Sequence, residues 1–200
     1  MALVQAARRL FAAQGYHATG THDVVAHAGV TRGALYHHFP DKQSLFLAVF
    51  HDVEASLTTP SDQASTGAAG SGSRGDAWSQ FQQGLQASLT AALEPEVQRI
   101  LLIDGPAVLG WDKWRELESH YGLGMLATAL ENAMQSGIIR RQPVRPLAHL
   151  LLAAVEEAAL LIAHAPDPAS TRIEVGKTLD SLMEGLRKVQ RPRPPRPRRR

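Results

Sequence analysis

Apolar residues recur along the chain at helical spacing, and no alternating stretch bounded by hairpin turns interrupts them. Leu3, Val4, Ala7, Leu10 and Phe11 fall on one stripe, and Gly15 follows where a helix C-terminal cap is expected. Thr21 is placed to cap a second helix carrying Val24, Val25 and Ala28, with Asp23 against its N-terminal dipole and Gly29 as its stop. Thr31 then starts a third helix that Pro40 ends, and Asp41 caps a fourth with Leu45, Val49, Val53 and Leu57 four residues apart. Residues 58–76, rich in Gly, Ser, Thr and Ala, lose the period and are expected to be a flexible loop. Beyond them the period returns over about 76–93, 95–103, 111–136, 144–164 and 169–188, with Gly105-Pro106, Gly137 and Pro166/Pro168 as breakers. The pattern predicts an all-α protein of about nine helices.

Two short helices joined by a glycine turn form a helix-turn-helix, whose second helix enters the major groove of DNA. Leu35 and Phe39 project together and are expected to anchor that helix, leaving Gly33, Tyr36 and His37 to face away. Gly33 and Ala34 have almost no side chain, so the backbone can approach DNA closely, and Arg32 can reach guanine O6 and N7 with two hydrogen bonds. Tyr36, His38 and Lys42 suit phosphate contacts, as do the amides opening the fourth helix. Plainer readings stand beside these: Tyr36 as a half-buried core residue and His38 as a helix cap.

The charge balance sharpens the division of the chain. Seven of the 21 Lys and Arg lie in 188–200, leaving 14 against 19 acidic residues elsewhere, a balance of −5. The Pro/Arg tail reads as a disordered arm, either touching phosphates or simply solvated. Cysteine is absent, which rules out disulfides and thiolate metal sites. The six histidines among residues 1–57, His17, His22, His27, His37, His38 and His51, include no pair at i, i+4, and no metal or other cofactor is expected. Residues 1–11 lack an export signal, and the cytoplasm is the expected location.

The stretch "THDVVAHAGVTRGALYHHFPDKQSLF", residues 21–46, resembles the DNA-binding signature of the TetR family of bacterial transcription regulators, with its "AGV" turn, "G-x-LY-x-HF" recognition helix and "K-x-x-L" helix start. The resemblance covers roughly residues 3–57. It implies DNA contacts from Thr21, Thr31, Arg32, Gly33, Ala34, Tyr36, His38 and Lys42. Val25 departs from the family's usual alanine, and family members carry a further helical turn or basic arm before the position of Met1.

The resemblance also implies a C-terminal half that dimerises and holds an effector. Residues 147–163, "LAHLLLAAVEEAALLIA", are apolar nearly all round, but His149, Glu156 and Glu157 argue for burial rather than a membrane span. Together with the last helix they can pair across a two-fold axis, with Leu150, Leu151, Ala154, Leu161, Leu179, Leu182 and Leu186 at the interface. Trp111, Trp114, His120, Tyr121 and Met125 gather near a Gly-Pro break and suit an apolar small molecule, or equally a plain core.

The resulting expectation is a homodimeric repressor released from a double-stranded operator by a small molecule. Its divisions are a DNA-binding domain over 1–46, a connecting helix over 47–57, the loop 58–76, a ligand-binding and dimerisation domain over 77–188, and the tail 189–200. An activator of the same family is the alternative. An enzyme is not expected, since no nucleophile elbow, phosphate loop or dinucleotide fingerprint is present, and an architectural DNA binder would not need the 120 further residues.

Overall fold

The computed structural model describes residues 2–66 and 74–187, and these are helical almost throughout. Four helices form the N-terminal part: α1 (Ala2–Ala18), α2 (Thr21–Ala28), α3 (Arg32–His38) and α4 (Lys42–Thr66). Then come α5 (Arg74–Ala91), α6 (Pro95–Val97), a π-helical segment (Gln98–Asp104), α7 (Gly105–Leu109), α8 (Trp111–Gln135), α9 (Val144–His164) and α10 (Pro168–Leu186). Residues 95–109 follow one unbroken helical path, so the described residues hold nine separate helices.

The core of the N-terminal part is set by the stripes read from sequence. Phe11, Leu35, Leu45, Phe46, Val49, Phe50 and Val53 are fully buried, and the rings of Phe11 and Tyr16 meet Phe46 edge-on at 5.4 and 5.2 Å. The α2–α3 turn is closed by backbone alone. Gly29 adopts φ 65°, its N–H donates to Ala26 O at 3.3 Å, and the Val30 N–H donates to Val25 O at 3.1 Å. This pair of bonds satisfies the last carbonyls of α2 while reversing the chain. Thr31 Oγ1 then accepts the Ala34 N–H at 3.2 Å and Asp41 Oδ1 the Ser44 N–H at 2.6 Å, each starting the next helix.

Three boundaries depart from expectation. Gly20, not Thr21, is the residue before α2, and its N–H donates to Asp23 Oδ2 at 3.1 Å. Gly20 is extended at φ −84° and ψ 148°, which any residue can adopt, and the start of α2 is fixed by the Asp23 carboxylate closing on the Gly20 N–H. Second, helical backbone covers residues 58–66 and resumes at Arg74, so most of the expected loop is helix. Ser, Thr, Ala and Gln cost only tenths of a kcal/mol each in a helix, roughly, and a helix nucleated upstream continues through them despite Pro60, which costs about 3 kcal/mol. The remainder of that loop, 67–73, and the tail 189–200 lie outside the described residues. Third, the Gly105-Pro106 pair does not break the chain. Pro106 sits in the first turn of α7, where its missing N–H removes little, and the break comes at Gly110 with φ 83°.

In the C-terminal part α9 is the central element, burying Ala148, Leu151, Leu152, Ala158 and Ile162 and packing against α8, α10, α5 and the π-helical segment. Close approach of α8 and α9 depends on Gly122, where a Cβ would lie 2.8 Å from Leu152 Cδ1. Leu151 and Leu179, expected at a dimer interface, are buried within the protomer core, at 7% and 3% exposure. They sit on the sides of α9 and α10 that face their own protomer. Leu150, Leu161 and Leu182 are exposed on these two helices, while Ala154 and Leu186 are half-buried.

Candidate nucleic-acid interface and ligand site

Leu35, fully buried, fixes the rotation of α3, and the other side of the helix is therefore open to solvent. Thr31, Arg32, Gly33, Tyr36, His37 and His38 are exposed and Ala34 is half-buried. The Arg32 guanidinium lies over the Tyr36 ring, 5.4 Å from its centroid. Hydrogen bonds from Thr21 and then Arg32 hold the Tyr36 hydroxyl below its ordinary pKa. Thr21, Arg32 and Tyr36 thus form one cluster across the α2–α3 junction, which orients the arginine before any partner arrives. A Cβ at Gly33 would meet nothing nearer than Thr31 Oγ1 at 3.8 Å, so this stretch of backbone is bare.

Lys42 sits at the edge of this face. Its Nζ lies 4.2 Å above the centroid of Tyr16, a residue sequence reasoning did not single out, and burial lowers its pKa. The amides opening α4 differ from expectation. The Asp41 carboxylate already accepts from Ser44, so Lys42 is left to supply the attraction for phosphate. His38 is exposed and stacks edge-on against His37 at 5.2 Å, while the Leu35 carbonyl receives the N–H of Phe39, which caps the helix.

The five aromatic and sulfur-bearing residues of α8 do not converge. Trp111, Trp114, Tyr121 and Met125 share one face of a single helix, but residues 111 and 125 are about 21 Å apart along its axis. Trp114 is wholly buried and donates from Nε1 to Leu101 O at 2.9 Å, whereas Trp111 and Met125 are each 49% exposed and His120 is exposed. The Trp111 and Trp114 rings meet at 4.9 Å, and Arg115 lies over Trp111 at 5.3 Å. Tyr121 points elsewhere, its hydroxyl 2.7 Å from His51 Nδ1 on α4.

That contact leads to a polar cluster absent from the sequence reading. Glu54 of α4 and Glu118 of α8 share a hydrogen bond, and the charge of Glu156 on α9 acts on Glu118. Burial pushes the Glu54 carboxyl up to about 7, and burial together with the other two acids raises Glu118 well above the carboxylate range. Glu156 is raised by burial, against the pull of Arg115 at 3.5 Å. Glu118 Oε1 is buried with no hydrogen-bond partner, as is Trp78 Nε1 on α5. Glu156 within its apolar run was the sequence signal. Glu54 and Glu118 were not legible, because only the tertiary packing places their helices together.

Between the two sites runs a set of polar ties. Arg8 of α1 pairs with Asp52 of α4 at 2.7 Å and with Glu96 of α6. Gln43 Nε2 donates to Val108 O at 2.7 Å, and the Tyr16 N–H donates to Asp104 Oδ2, also at 2.7 Å. Both α1, through Arg8 and Tyr16, and the first turn of α4, through Gln43, are therefore tied to the C-terminal helices.

Comparison with known proteins agrees with this geometry. Residues 3–49 match the family described as bacterial regulatory proteins, tetR family, and residues 78–186 match the tetracyclin repressor-like C-terminal domain. A TetR-family transcriptional regulator from Pectobacterium atrosepticum is 33% identical and superposes with a TM-score of 0.80, covering 94% of each chain. The Transposon Tn10 TetC protein of Escherichia coli is 24% identical over 153 residues, 74% of this chain and 72% of that one. The structure of RolR in complex with resorcinol shares the fold at 19% identity, with a TM-score of 0.69 over 94% of this chain and 86% of that one. The two matched regions fall on the exposed α3 face and on the helices that enclose the buried acids, and the chain is a DNA-binding transcriptional regulator of the TetR family, which is not a family of enzymes.

Proposed function

We propose that the chain acts in the cytoplasm as a homodimeric repressor that leaves its operator when a small molecule occupies the C-terminal domain. The observation that carries the DNA half of this reading is the exposed N-terminal end of α3, where Arg32 rests on Tyr36 beside the bare backbone of Gly33. Arg32 reads guanine, Gly33 and Ala34 allow close approach, and Thr21, Thr31, Tyr36, His38 and Lys42 hold phosphates on either side. Residues 1–46 are the DNA-binding unit, 47–57 the connection, and 77–188 the regulatory unit.

Dimerisation is supported by Leu150, Leu161 and Leu182, which are 70%, 51% and 59% exposed on α9 and α10. Large apolar side chains exposed together on adjacent helices favour burial against a second copy. A dimer presents two α3 helices to two half-sites about one helical turn apart, or a multiple of that. Ligand response is supported by the fold shared with RolR, whose structure contains resorcinol, and by the buried polar groups between α4, α8 and α9.

Footprinting of the purified protein on the DNA upstream of its own coding region tests the reading. The expected result is one protected inverted repeat, with raised transcription of the adjacent gene when the protein is deleted. Protection without sequence preference, or lowered transcription on deletion, contradicts it.

A further inference from the structure

We propose that His17, His22, His37 and His38 form a proton-dependent part of the DNA-binding face, so that the protein takes up protons as it binds DNA and holds it more tightly at pH 6 than at pH 8. The inference rests on α3 as the helix that meets DNA and is independent of the small-molecule response. Residues 1–57 carry Arg8, Arg9, Arg32 and Lys42 against Asp23, Asp41, Asp52 and Glu54, a formal balance of zero. Arg8 is engaged by Asp52 and Glu96, which leaves Arg9, Arg32 and Lys42 to meet a polyanion. The same stretch holds six of the nine histidines of the chain. Histidine is the side chain that ordinarily gains a charge between pH 8 and pH 5, so imidazoles decide how strongly this domain attracts phosphate.

The four imidazoles are exposed, and each adjoins a group of the DNA-binding face. His37 and His38 follow Tyr36 on α3, and His22 follows Thr21, whose side chain hydrogen-bonds to Tyr36. The His17 ring meets Tyr16 at 5.4 Å, and Tyr16 is the ring that carries Lys42. The nearby acids are already engaged, Asp23 of α2 by the Gly20 N–H and Asp41 before α4 by the Ser44 N–H. His27 of α2 donates from Nδ1 to the Asp23 carbonyl at 3.0 Å, and His51 turns away to Tyr121 of α8. Toward α1, His38 faces Ala2, Leu3 and Val4 across a groove, and no residue lining that groove is acidic. The His37 and His38 rings stand 5.2 Å apart. Two charged imidazoles at that separation repel each other, and a phosphate lying against them removes the penalty. Linkage then requires that protons strengthen DNA binding by the same factor with which DNA strengthens proton binding.

The test is DNA binding by the full chain at pH 6 and pH 8 at one ionic strength, on the footprinted operator and on a random duplex of equal length. Calorimetry at pH 7 in two buffers of different ionisation enthalpy counts the protons exchanged. Binding about ten-fold or more tighter is expected at pH 6 on both duplexes, with net proton uptake and a salt slope steeper by about one for each imidazole engaged. The triple variant His22→Gln/His37→Gln/His38→Gln is expected to lose most of the pH dependence and of the proton uptake, while His164→Gln on α9 keeps both. His37→Gln alone gives a smaller loss of the same kind if the triple variant folds poorly. Equal affinity at the two pH values, no proton uptake, or a pH dependence that survives in the histidine variants but disappears in Glu54→Gln overturns the proposal and leaves the regulator reading in place. Absence of binding to either duplex at both pH values contradicts α3 as the DNA-binding helix, and the proposal with it.

Discussion

The main-chain N–H of Tyr16 donates to the carboxylate of Asp104, 88 residues away, at 2.7 Å. Gly15 makes this bond available, because its dihedrals of φ 81° and ψ 169° interrupt α1 and turn the next amide out of the helix ladder. Asp104, 4% exposed at the end of the π-helical segment, also accepts from Arg99 Nε at 3.1 Å. The Tyr16 ring in turn supports Lys42. The C-terminal helices are therefore tied to the DNA-binding face through Asp104 as well as along α4.

Removing this acceptor should be costly. Asp104→Ala leaves the Tyr16 N–H and Arg99 without their partner and is expected to destabilise the protein by about 2–4 kcal/mol, while Asp104→Asn keeps one acceptor and costs less. Thermal unfolding gives the ranking. The surviving Asn variant should show a reduced change in operator affinity on adding effector, and an unaltered response would remove Asp104 from the coupling.

Gly15 is held by two separate constraints. A Cβ there would fall 1.8 Å from Arg99 Nη2, and its dihedrals suit glycine alone. Gly15→Ala should lower stability by roughly 1–3 kcal/mol from the backbone alone. The double variant Gly15→Ala/Arg99→Ala relieves the collision but not the dihedral, so it should remain destabilised. Full recovery would show that only the collision matters.

The buried acids predict an unusual pH dependence. A carboxyl raised from 4.5 to about 7 in the folded state contributes stability that is fully present below pH 4.5 and is lost as pH rises through about 7. Relative to Glu54→Gln, the parent should lose about 1–3 kcal/mol between pH 4.5 and pH 8. His51, lowered by burial, gives the opposite slope, with stability present above pH 6.5 and lost as pH falls below it through the lowered folded value, but it is present in both proteins and cancels in the difference. Parallel pH–stability curves would contradict the raised carboxyl.

The leucines of α9 and α10 should separate into two classes. Leu182→Glu, at an exposed position, is expected to shift the protein toward monomer in sedimentation velocity with its helix content retained. Leu179→Ala, at a buried one, should instead cost the protomer about 2–5 kcal/mol. A Leu182→Glu protein that sediments as a dimer would move the interface elsewhere.

These sites differ in how far they could be read from the chain. Gly29, Thr31 and Asp41 were legible because each acts within five residues, through a turn or a cap. The same holds for the exposure of Arg32 and Tyr36, which follows from the spacing of Leu35 and Phe39. Asp104 has no such local signal, since its partner is a backbone amide 88 positions earlier. Leu151 and Leu179 carry the same apolar signal whether a partner or the protomer covers them. The π-helical turn has no composition of its own, so its end at Asp104 could not be read from the chain.

Arg32 provides the most direct measurement of the account. The affinities of the parent and of Arg32→Ala are compared on the footprinted operator and on a random duplex of equal length at one salt concentration. A base-reading arginine predicts a loss of about 1–3 kcal/mol on the operator, a much smaller loss on the random duplex, and relaxed preference at one guanine per half-site. Equal losses on both duplexes would make Arg32 a phosphate contact and contradict the assignment of α3 as the element that reads sequence.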